Sequence, residues 1–161
     1  MGASGWDYRM PFNGSVEQSF VDVQEQVLAS GDYIWPWDDL DADYEDEGAT
    51  FPRPTSLAQL VEAKEADEFW DEGTHTLLDL DRVSNTEDAD EFGAVRPLTS
   101  AELIQVFGTE RPSAQDFDRV HQLGPAGPLG ELAEPTWSGR SLVIYRDDSP
   151  AEVHFWGWSG D

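Results

Sequence analysis

The chain has 161 residues, 34 of them Asp or Glu against nine Lys or Arg, for a formal charge of −25, and it contains no cysteine. A field of that sign repels nucleic-acid phosphates and anionic lipid and draws basic proteins and cations, so direct nucleic-acid or membrane binding is not expected. The missing cysteine removes disulfides, thiolate metal sites and a thiol nucleophile.

The length suits one domain over 1–161, and seven Trp, eight Phe and four Tyr give it bulk for a core although only 39% of residues are apolar. The first seven residues show neither a basic nor an apolar signal segment, and no apolar run approaches membrane-spanning length. A cytoplasmic protein is the expectation.

Trp6, Tyr8 and Met10 alternate with Asp7 and Arg9, which predicts a short strand ending at Pro11. Ser15 and Gln18 form a capping pattern ahead of Val16, Phe20, Val23 and Val27, and Gly31 follows, so a helix is expected over about 16–30. Then comes Trp35-Pro36-Trp37, leading into seven carboxylates between Asp38 and Glu47 with no basic residue among them. Mutual repulsion predicts a solvated acidic loop at about 36–50.

Ser56 and Gln59 open a second helix with Leu57, Leu60 and Val61, fading near Glu68 to Trp70. Thr74 to Val83 alternates, predicting a strand with Thr76, Leu78 and Leu80 inward and His75, Asp79 and Asp81 outward. A second acidic loop follows at 84–93. Thr99 with Glu102 caps a helix carrying Leu103, Val106 and Phe107, and Ser113 caps another with Phe117, Val120 and His121 on its inner side. Gly124 to Gly130, rich in Gly and Pro, is expected to hold no regular structure. Ser141 to Tyr145 and Glu152 to Trp158 form a C-terminal β-hairpin, whose nearly continuous apolar first arm implies cover on both faces. The whole order is that of an α+β domain with a mainly antiparallel sheet and helices packed on one side.

Chemical motifs are sparse. Asp39, Asp41 and Asp43 match the opening of a calcium loop, but Tyr44 stands where Gly makes the turn and Thr50 where a bidentate Glu closes the site. No nucleophile elbow, Walker loop or dinucleotide fingerprint is present, which disfavours an enzyme. No metal or cofactor is expected. His75, Asp79 and Asp81 are the candidates for acid-base work, with outward polar residues as the plain alternative. His121 and His154, the latter alternating with Trp156 and Trp158, lack comparable company.

Residues 32–92 hold 20 acids against Arg53, Lys64 and Arg82, which concentrates −17 of the charge there. The leading expectation is an acidic binding protein that neutralises a basic protein partner, as an immunity protein or antitoxin blocks a nuclease or nucleotide-using toxin. Trp35, Trp37, Asp38, Asp39, Asp41, Asp43, Tyr44, Glu45, Asp46 and Glu47 are its expected contact residues. One alternative is a small enzyme or ligand-binding domain using His75, Asp79 and Asp81. Another is a salt-adapted domain with no dedicated partner, which a single Lys beside eight Arg would fit.

Overall fold

Alternation in the first strand is realised: in a computed structural model that describes residues 3–38, 50–86, 90–133 and 136–160, β1 spans Gly5–Pro11 with Trp6 buried. Helix α1 spans Val16–Ser30. The Ser15 hydroxyl accepts the Gln18 N–H at 3.0 Å, and Gly31 ends the helix in the left-handed region at φ 70°. The Gln18 side chain turns forward to Asp22 instead of back to Ser15, so only half of the capping box forms.

The second helix is two pieces, α2 Leu57–Ala63 and α3 Phe69–Glu72. The strand expected over 74–83 is not formed as such. Gly73 and His75 both take positive φ, at 72° and 58°, which breaks an extended path. Thr76 then caps a 3₁₀ turn at Leu77–Asp79, and within this stretch strand pairing is confined to β2, Arg82–Val83. This local break turns Asp79 inward, where it is 1% exposed, against the outward placement expected of it.

Strand β3, Ala94–Pro97, precedes α4, Ser100–Phe107, and α5, Ala114–His121, both of which carry full capping boxes. Pro128 begins a short helix, α6, Pro128–Leu132, inside the segment expected to be irregular. Proline at the first helical position loses no hydrogen bond, because that N–H has no partner inside the helix anyway.

The hairpin is longer than its apolar stretches suggest: β4 is Ser138–Arg146 and β5 is Ser149–Trp158. Asp147 and Asp148 connect them with φ 48° and 62°, the left-handed pair that a two-residue turn needs to match strand twist.

Five strands form one sheet in the order β1-β5-β4-β3-β2. The β1–β5 and β5–β4 ladders are antiparallel, and the short β4–β3 and β3–β2 ladders are parallel, so the α+β class and the mainly antiparallel sheet are as expected. The double cover implied by the hairpin's first arm decides where the helices go. Val153 and Phe155 of β5 join Phe20, Val23, Leu60 and Phe69 in one core, while Trp156 joins Leu142, Ile144, Phe117 and Leu129 in another. Helices therefore lie on both faces, α1 and α2 on one and α4 to α6 on the other, not on one side alone. Among the described residues no helix is long and apolar enough to cross a membrane.

The parallel register sets Arg96 of β3 beside Arg140 of β4, two like charges on a nearly dry surface. Asp90 offsets both, at 2.6 Å from Arg140 and 3.2 Å from Arg96, and Glu102 binds Arg96 in a two-point pair at 2.8 and 3.0 Å. That guanidinium draws the Glu102 carboxyl down to about 2.

Candidate functional site

The residues expected to meet a partner divide into three groups. Trp35 is 3% exposed and donates its indole N–H to the Phe51 carbonyl at 2.8 Å. Trp37 is half-buried against Trp35, Phe51 and Phe69. Asp38 is exposed and accepts from the Arg53 guanidinium. Asp39, Asp41, Asp43, Tyr44, Glu45, Asp46 and Glu47 lie outside the described residues.

His75, Asp79 and Asp81 each have local partners. His75 is half-buried with Nδ1 at 3.2 Å from the Ser4 hydroxyl. Asp79 accepts the Thr74 N–H and hydroxyl at 2.7 and 2.8 Å, and burial pushes its carboxyl up to about 6. Asp81 is exposed and receives the ammonium of buried Lys64 at 2.7 Å.

Two places on the molecule gather groups that sequence reasoning left apart. The first is an aromatic surface on α3 and the loops beside it. Phe92 is 59% exposed and packs at a tilt against Trp70 and Trp137, at ring-centroid distances of 4.8 and 6.0 Å, while Trp70 meets Trp137 edge-on at 5.3 Å. The two indoles are held in place. Trp70 donates to the Lys64 carbonyl at 2.9 Å and packs on fully buried Phe69. Trp137 lies against Gly73 and Gly160, where an added Cβ would come within 2.8 and 1.7 Å of the indole. In the sequence, Trp70 is flanked by Asp67, Glu68, Asp71 and Glu72, with Glu62 and Glu65 before them, all exposed, and between Leu57 and Asp81 the one lysine is buried. Glu91, next to Phe92, pairs with Arg82.

The second place is a cleft of about 410 Å³ near one end of the sheet. Register explains what lines it. Asp7 of β1 sits opposite Trp156 of β5, so His154, two residues back on the same face, is its diagonal neighbour. His121, the last residue of α5, reaches the same point, and its Nε2 lies 2.8 Å from Asp7 Oδ2. The imidazoles of His121 and His154 meet edge-on at 5.1 Å. His154 is wedged between Phe117 at 4.6 Å and Trp156 at 5.3 Å and is 2% exposed. Burial drives its pKa down to about 3, against the pull of the Asp7 carboxylate, so its ring is neutral at ordinary pH. Its Nδ1 is buried without a hydrogen-bond partner.

Sequence reasoning could find the pieces of this cluster but not their meeting. His121 was expected on the inner side of its helix and is exposed at the helix end, and Asp7 was legible on the face opposite Trp6; the β1–β5 pairing brings Asp7 to His154, and α5 brings His121. No protein-family model, curated protein or solved structure matches this chain.

Proposed function

We propose that this protein is a cytoplasmic acidic binding module that engages and neutralises a basic protein partner, in the manner of an immunity protein or antitoxin. The observation that carries the reading is the exposed Phe92 ring, backed by Trp70 and Trp137, with the exposed carboxylates of Glu68, Asp71 and Glu72 beside Trp70 in the sequence. Aromatic rings held rigid by packing lose little entropy on binding and serve as anchors, while surrounding carboxylates steer a cationic partner into place. Asp38 and the acidic residues after it extend the same charge in sequence; Trp35 is buried, Trp37 is half-buried as Trp70 and Trp137 are, and the exposed ring is Phe92.

The test separates anchor from steering. In extracts of the source cells, immobilised parent protein retains a basic protein; Phe92→Ala releases it faster, and Asp71→Lys with Glu72→Lys slows its association and flattens the salt dependence. The same reversal at Glu110 and Glu131, away from the rings, leaves capture unchanged. Equal recovery by all four proteins overturns the reading and leaves the acidity as a solvated surface.

A further inference from the structure

The Asp7, His121 and His154 cluster plays no part in the partner-binding surface, and its composition is that of a metal centre. One ligand atom from each residue lies within 4.8 Å of the others, and the closest pair, His121 Nε2 and Asp7 Oδ2, is 2.8 Å apart. Zinc bonds of about 2.0–2.2 Å set neighbouring tetrahedral ligands about 3.3 Å apart, a value inside that range.

We propose that Asp7, His121 and His154 bind one divalent transition-metal ion of the Zn²⁺ class, with a coordination position left open toward the cleft. Three further observations point there. A buried imidazole nitrogen without a partner is uncommon in folded proteins, and the Nδ1 of His154, one of the three clustered residues, is such a nitrogen. Phe117 and Trp156 fix the plane of that ring, so little side-chain freedom remains to be lost when it ligates. Finally, three protein ligands beside about 410 Å³ of open volume match the arrangement of a zinc ion that keeps one position for water or a small ligand. Two nitrogen donors and one carboxylate select against Ca²⁺ and Mg²⁺, which take oxygen ligands. The cleft's remaining wall includes Trp6 and Trp158, so the open position admits a small donor group carried on a flat apolar body.

Cobalt(II) reports on such a site through its visible absorption, and the full chain is titrated with Co²⁺ in the presence of excess Mg²⁺ to occupy surface carboxylates. The expected result is one equivalent bound with intense visible bands, displaced by Zn²⁺, and a change in those bands when azide is added. His121→Ala and Asp7→Asn, both at exposed positions and checked for a parent-like melting transition, weaken binding about a hundredfold or more. His75→Ala, outside the cluster, binds as the parent does. No stoichiometric binding in the parent, or binding that survives in His121→Ala and Asp7→Asn alike, overturns the proposal; bands indifferent to azide overturn the open position.

Discussion

Asp79 carries a charge where the fold gives it little water. Its Oδ1 takes two hydrogen bonds from Thr74, yet Oδ2 is buried with no partner, and burial lifts the carboxyl to about 6 from an ordinary value near 4. A carboxyl raised in the native state weighs against folding above its native pKa, and this penalty fades as the pH falls toward the unfolded value. Asp79→Asn cannot ionise and keeps an oxygen for Thr74. The stability of that variant relative to the parent is therefore expected to decline by about 1 kcal/mol between about pH 7.5 and pH 5, as the parent sheds its penalty. Paired denaturant melts at the two pH values measure it, and a pH-independent difference contradicts an elevated Asp79. The three cleft residues show the reverse economy, in that each is unremarkable alone and only their placement gives them chemistry.

At the level of elements, Glu102 has two tasks, capping α4 through the Thr99 N–H at 2.8 Å and clamping Arg96 on β3. Glu102→Gln should lower stability by about 1–3 kcal/mol near neutral pH, since charge-assisted bonds to a partly buried arginine are lost. Because the native carboxyl is depressed to about 2, its stabilisation is complete above the unfolded value near 4.5 and is lost as the pH falls toward 2. Melts of parent and variant should thus converge in that interval; parallel curves would argue against the pair. The elements also differ in how far the chain announces them. Ser15, Gly31 and the apolar spacing of α1 are all local signals, and they mark its ends to the residue. Strands β2 and β3 have two and four residues, too few for an alternation to register; β3 exists because β4, far along the chain, lies beside it, and β2 because β3 does. The exposed aromatic surface was equally hidden, for Trp70, Phe92 and Trp137 come from three separate stretches joined by tertiary packing alone.

Across the whole molecule the surplus of 25 negative charges makes the folded state repel itself. Screening relieves the compact form more than the expanded one. Raising NaCl from about 0.05 M to about 0.5 M should therefore raise the melting temperature, with the Debye length falling several-fold over that interval. A lower melting temperature in high salt would mean that pairs such as Arg96–Glu102 and Lys64–Asp81 outweigh the net repulsion.

The β1–β5 ladder, which sets Gly5 against Trp158, also fixes a timetable. During synthesis β1 leaves the ribosome long before β5, its neighbour in the sheet, has been made, and at about 5–20 residues per second it waits on the order of ten seconds. Through that interval Trp6 has no β5 to cover it, and α1 has only part of the surface on which it packs. Completion of the sheet thus waits for β5, and until then the nascent chain presents to chaperones an aromatic strand that the finished fold hides.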